Sequence, residues 1–332
     1  MKPNVLNARL SCAPCILPLL AALSALSVSC SDSDSGSTPG TLEVSISGQS
    51  FALTGWPTED EGETVALDDG WTVRFESVVV SVAHFSLGDR DGALTGLDAD
   101  PVVIDLHRLN ATTLEETIWR FEDVPAQRFD DVGYQLVPAE ANSRVVGEVD
   151  SAIIDAMVPS GASMYFAGYG DLDGDSSTED DHYRFEWLIE GSVVNTRCLN
   201  GTDETFGVII EENQVNEAEV TFHLDHLLWD NHDADEPQLV FEAYAAASAL
   251  AATARSEADD RLITMDDLAY QQLDDLRGLD GEELTLNGQR VVFRPRAGAE
   301  LPDDTLRAYL LDAALSTGHF NGEGHCEYNT NF

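Results

Sequence analysis

The stretch WTVRFESVVVSVAHFSL, residues 71–87, decides the fold class. Val73 and Phe75 alternate with polar neighbours, and Val80 and Val82 are again two apart, Val80 closing a run of three valines. Period two with β-branched residues is the pattern of a strand with one face on a core. The length suits either two strands or one long bent strand. Working outward, residues 41–53 (TLEVSISGQSFAL) alternate in the same way, and 102–106 is a short apolar run. Residues 118–124 and 133–137 bracket a turn-rich connection. Residues 164–169 and 182–189 are expected to form a hairpin across an acidic loop, and 206–210 and 219–224 are two further strands.

The C-terminal third has a different character. Residues 240–255 (VFEAYAAASALAATAR) are alanine-rich, so a helix is expected there. Helices are also expected over 151–158, ending at Pro159, over 264–276, and over 302–317 with Gly318 as C-cap; a strand over 290–293 lies between the last two. Many short strands followed by helices indicate a mainly β protein. The expectation is an antiparallel β-sandwich over 41–226, with a smaller helical segment over 227–332 packed on it.

The N-terminus carries Lys2 and Arg9, then an apolar run over 16–28 (ILPLLAALSALSV). At about 13 residues the run is shorter than the roughly 20 needed to span a bilayer and has the length of a signal-peptide core. It ends at Ser27-Val28-Ser29-Cys30, which resembles a bacterial lipobox, with Ser27 where that motif prefers Leu. The resemblance implies removal of 1–29 and lipidation of Cys30, with ordinary cleavage as the alternative. Residues 31–40 (SDSDSGSTPG) have the composition of a flexible tether. Ser31 directly after the lipidated cysteine resembles an outer-membrane sorting signal. The expected location is therefore the cell envelope, with the membrane met through the lipid alone.

Of five cysteines, Cys12 and Cys15 leave with the signal peptide and Cys30 takes lipid. Cys198 and Cys326 remain, in a compartment that oxidises thiols, and a disulfide between them is the simplest reading. It would tie the tail to the middle of the chain and remove roughly 4–5 kcal/mol of loop entropy from the unfolded state. A two-cysteine metal site is the alternative, but neither cysteine has another nearby in sequence.

The chain holds 17 basic and 61 acidic side chains, net −44. Losing Lys2 and Arg9 leaves 15 − 61 = −46, with every remaining basic residue an arginine. That balance excludes nucleic acid as a partner, because phosphate binding needs clustered cations. It fits a salt-rich habitat for most of the charge and divalent-cation binding for a few sites. Signatures such as G-x-S-x-G, H-E-x-x-H or a glycine-rich phosphate loop are absent, so nothing marks an enzyme.

The stretch RFEDVPAQRFDDVGYQLVP (120–138) and the 164–191 hairpin resemble the MbnP-like group of periplasmic β-sandwich proteins, which implies a site for copper or another metal. The chain is more closely similar to an uncharacterised set of exported bacterial lipoproteins. That set carries DLH, H-x-D-H, an EF-hand-like stretch and a terminal GH-x-x-GEGHC. The counterparts are Asp105-Leu106-His107, His223-Leu224-Asp225-His226, and residues 318–326.

His107, His223, Asp225, His226, His319 and His325 are the candidate transition-metal ligands, since neutral imidazole suits copper and zinc. His223 and Asp225, two apart on an expected strand, would share a face. The alternative for any one histidine is a ring satisfied by backbone carbonyls. His84 and His182 read as structural or solvent-facing, and His232, in DNHDADE, as solvated. Asp171, Asp173, Asp175, Glu179 and Asp181 form a candidate calcium loop, with a merely solvated acidic loop as the alternative. Residues 256–267 have EF-hand length but hold Ser256, Ala258, Arg261 and Asp267 at key positions, so this loop is expected to keep its shape without the ion. Lipidation predicts that labelled palmitate is incorporated in a bacterial host and that Cys30→Ser abolishes the label. Equal labelling of the two chains would refute it.

Overall fold

The computed structural model describes residues 38–60, 63–88, 95–97, 100–172, 182–203, 205–256 and 261–331. Cys30, the signal segment, Asp173, Asp175, Glu179 and Asp181 lie outside the described residues. The longer elements in chain order are β1 (Gly40–Ser47), α1 (Gln49–Thr54), β2 (Thr72–Gly88), β3 (Val102–Asp105), β4 (Glu115–Val124) and β5 (Asp131–Leu136). Then come α2 (Ser151–Ser160), β6 (Ala162–Asp171), β7 (Tyr183–Glu190), β8 (Ser192–Thr196), β9 (Val215–Phe222) and α3 (Glu242–Arg255). The last are β10 (Leu262–Thr264), α4 (Met265–Leu268), α5 (Leu306–Leu315), β11 (Gly318–Phe320) and β12 (Glu327–Asn331).

Mainly β is therefore the right class, with several sheets and five helices among the described residues. The smaller main sheet has the order β11-β9-β1-β4, and the larger follows β10-β7-β6-β2-β5-β8-β12, with β3 also paired to β2. Both are mixed rather than wholly antiparallel: β1 runs parallel to β9, and β7 to β10. β9 reaches β1 only after a long excursion through the larger sheet, so no hairpin forces an antiparallel pairing.

Residues 72–88 form one bent strand. Between the pairs Ala83–Gln135 and Ser86–Gly133, two residues of β2, His84 and Phe85, oppose one of β5, Tyr134. His84 takes up the extra residue with φ 56°, as in a β-bulge. Val78, Val80 and Val82 enter the main core, whereas Val79 joins a second cluster with Val103, Ala139, Met157 and Ala162. The valine run is thus buried on both faces, because α2 covers the second face through Ile153 and Ile154. Phe85 of β2 meets Trp119 and Phe121 of β4 at ring-centroid distances of 5.8 and 6.0 Å, placing core between the two sheets.

Four expected elements differ. The alternation over 41–53 stops at Ser47, and Gly48 leads into α1, where Phe51 and Ala52 are buried as neighbours. The helix expected over 264–276 covers only Met265–Leu268. Beyond it, the buried Gln271 carboxamide accepts from Arg277 N and donates to the carbonyls of Arg277 and Ala243, replacing helical bonds. Gly318 is not a helix cap: α5 ends at Leu315 with Ser316 as its C-cap, and Gly318 starts β11 with Tyr134 Oη 2.6 Å from where a Cβ would stand. α2 runs through Pro159 to a left-handed Gly161.

The Cys198–Cys326 disulfide is present. It lies where the chain leaves the smaller sheet, after β11, and crosses to the edge of the larger one, where β12 pairs with β8. Removing the ring between the sheets is expected to be costly. Phe85 is fully buried, so Phe85→Ala should cost about 3–5 kcal/mol in a denaturant titration. A loss below about 1 kcal/mol would show that the sheets do not share this core.

Candidate metal centre

Two backbone segments build the site. β9 ends at Phe222, and His223 leads into a 3-10 turn, Leu224–Leu227. β11 lies antiparallel against β9, with Thr221 opposite His319 and Phe222 opposite Gly318. His223 N donates to Thr317 O at 2.9 Å, extending the pairing by one bond. The chain then turns through Asn321 and Gly322, both at positive φ, and returns so that Phe320 N donates to Gly324 O at 2.8 Å. Asn321 fastens the turn to β9: its backbone N donates to Glu219 O at 2.9 Å, and its Oδ1 accepts from Glu219 N at 2.7 Å.

This scaffold gathers five imidazoles. Ring centroids are 4.1 Å apart for His223–His319, 5.1 Å for His226–His319 and 4.7 Å for His319–His325. His232 joins at 5.6 Å from His226, and the Trp229 indole lies 3.9 Å from the same ring. One ligand atom each from His223, His319 and Glu323 lie within 4.8 Å of one another. Glu323 Oε1 is 3.7 Å from His223 Nε2.

The hydrogen bonds assign several ring nitrogens. His223 Nε2 is 3.2 Å from Gly322 O, which only accepts, so this nitrogen carries a proton. Ser316 Oγ donates its one proton to Ala313 O at 2.7 Å and therefore accepts from His226 Nδ1 at 3.1 Å, leaving Nε2 of His226 basic. His319 Nδ1 is buried with no hydrogen-bond partner, as is Nε2 of His232. An unmatched buried nitrogen costs about 1–3 kcal/mol, which a bound cation offsets.

Burial dominates the electrostatics. It pushes the His319 imidazole down to about 2, aided by His223 and His325, and holds His226 well below the ordinary histidine range, aided by His319 and His232. Burial and then the Arg296 charge push His232 down to about 4. The rings therefore stay neutral, the form that ligates metals. Burial also raises the carboxyl of Asp225, against the pull of His223. On the outer side of the turn is a cleft of about 580 Å³ lined by Glu43, Glu115, Glu217, Glu219, Asn321 and Gly322. This acidic field favours cations near the site.

Four of the candidate histidines, 223, 226, 319 and 325, thus come together, but His107 does not join the ring network. Its Nδ1 lies 2.7 Å from Ala52 O, and it lines a separate cleft with Leu53, Thr54 and Leu109. Asp225 lies in the 3-10 turn rather than on a strand, so it shares no strand face with His223. The strand stops at Phe222, and the indole of Trp229 hydrogen-bonds the Asp225 carboxylate. His232 is not solvated, because its acidic loop folds back and carries the ring onto His226.

Glu323, whose carboxylate lies within reach of His223 and His319, is not among the candidates read from the sequence. The available signal was a carboxylate four residues after His319 and two before His325 in one glycine-bounded turn. Of the calcium candidates, the described Asp171 lies 3.6 Å from His182 Nε2, and His182 stacks on Tyr169. In the degenerate loop, Asp267 accepts from Thr264 N and Arg255 Nη2, so its carboxylate serves the fold. Comparisons with protein-family models, curated proteins and solved structures found no match.

In metal-free protein the folded rings of His226 and His319 bind protons more weakly than the unfolded chain, whose histidines titrate near about 6.5. These two rings add no instability above that value, and stability is lost as pH falls below it. Proton NMR of the imidazole Cε1–H resonances should show both rings neutral from about pH 8 down to about pH 5. A midpoint near about 6.5 for either ring would contradict the buried, neutral cluster.

Proposed function

We propose that this chain is a non-enzymatic, lipid-anchored cell-envelope protein, a β-sandwich with a helical C-terminal segment. Its body holds one transition-metal ion, copper or zinc, at His223, His319 and Glu323. The observation that carries the reading is the approach of those three ligand atoms to within 4.8 Å of one another. Two imidazoles and a carboxylate form a donor set suited to zinc or copper. The unpartnered Nδ1 of the buried His319 supports it, because a ring satisfied by the fold alone would have its donor or acceptor matched. His226 and His325, each in ring contact with His319, are the neighbours placed to complete or tune the coordination. Calcium alone would not explain such a cluster, since calcium takes oxygen ligands.

The experiment is elemental analysis of residues 31–332, purified without chelator or affinity metal. Near one equivalent of copper or zinc is expected. His319→Ala should reduce it to background, and His107→Ala should leave it unchanged. Calcium alone, no metal, or equal metal in His319→Ala would overturn the proposal.

A further inference from the structure

Three of the residues at the metal centre, His319, Glu323 and His325, sit on one nine-residue stretch, 318–326, that ends at a half of the disulfide. The other half, Cys198, is fully buried in the main core. From it the chain continues along the back of the ligand turn. Leu199 N donates to His325 O at 2.9 Å, and Gly201 N reaches Phe320 O at 3.4 Å. The fit is tight enough to require glycine on both sides. A Cβ on Gly201 would overlap Asn321 O and stand 2.7 Å from the amide nitrogens of Glu323 and Gly324. A Cβ on Gly324 would overlap Leu199 O and Phe320 O. Glu323 and His325 are themselves exposed, and the His325 ring packs on His319 of the same stretch. Their placement is inherited from the backbone against which the turn is clamped.

We propose that the Cys198–Cys326 disulfide and the 199–201 backbone are the positioning clamp of the metal centre, so that metal affinity depends on whether the two cysteines are bonded to each other. This rests on the metal reading above. Ligands fixed before binding lose less freedom on binding, and residues that only orient a ligand typically change metal affinity about 10–100-fold. The clamp also makes affinity responsive to thiol chemistry. A dithiol attacks the S–S bond, gives up two electrons and two protons as it closes to its own disulfide, and leaves Cys198 and Cys326 as thiols. The turn then keeps its hydrogen bonds to β9, to His223 and to 199–201 but loses the covalent tie.

The test measures zinc(II) affinity by competition with a chromophoric chelator, with near-UV circular dichroism to follow the fold. It compares the oxidised chain, the phosphine-reduced chain, Cys198→Ala/Cys326→Ala, and Gly201→Ala, which retains the disulfide but intrudes on the cradle. Copper(II) is titrated in parallel into the unreduced proteins. The expected result is affinity about 10–100-fold weaker in the reduced chain and in both variants, with recovery on reoxidation of the reduced chain. If the cysteine variant does not fold, the reduced chain and Gly201→Ala decide. Binding within about threefold of the oxidised chain in all folded forms would overturn the clamp while leaving the metal centre standing. No binding of either metal by the oxidised chain would overturn the metal centre, and the clamp with it.

Discussion

The pairing of β11 with β9 is the constraint on which the site depends. Only three residues, Gly318–Phe320, make it, yet they set His319 beside Thr221 and bring His223 against Thr317. Gly318 is part of the reason it is possible, since the Tyr134 hydroxyl occupies the space a side chain would need and donates onward to His319 O. β9 in turn is held by seven parallel partners on β1. The histidine cluster is thus an extension of the smaller sheet rather than a decoration on loops, and its precision derives from a ladder buried in the core.

Charge and burial act in opposite directions around it. The chain as a whole is strongly acidic, and the cleft beside the ligand turn concentrates that field where a cation would approach. The His226 and His319 rings are withdrawn from water, which keeps them neutral and their lone pairs available. Glu323 bridges the two environments, exposed along its side chain yet within reach of His223. A site in which neutral imidazoles face a solvated carboxylate can take up a divalent cation with partial charge compensation and without burying an unpaired anion.

Much of this was legible before folding. Period-two patterning marked β1 and β2, the turn-rich connection between 118–124 and 133–137 marked β4 and β5, the alanine-rich run marked α3, and counting cysteines singled out Cys198 with Cys326. Local signals failed where tertiary partners decide the outcome. The helix over 264–276 was overridden by the buried Gln271 carboxamide. Gly318 looks like a cap in sequence and is a packing glycine in three dimensions. At the site, the two short histidine motifs were visible because each is local. That they meet each other, and that His107 does not meet them, follows from the β9–β11 ladder, which has no signature in a three-residue strand. His232 was misjudged for a related reason: an acidic loop looks solvated unless the ring it carries has somewhere to go, here beside His226 and Tyr309.

The central claim is that one metal ion sits between His223, His319 and Glu323. The most direct measurement is an anomalous difference map from crystals grown with zinc(II), with data collected on both sides of its absorption edge. A single strong peak is expected, present only above the edge, within bonding distance of a nitrogen from each of His223 and His319 and of a Glu323 carboxylate oxygen. A map with no peak there, or with peaks only at surface carboxylates, would contradict it.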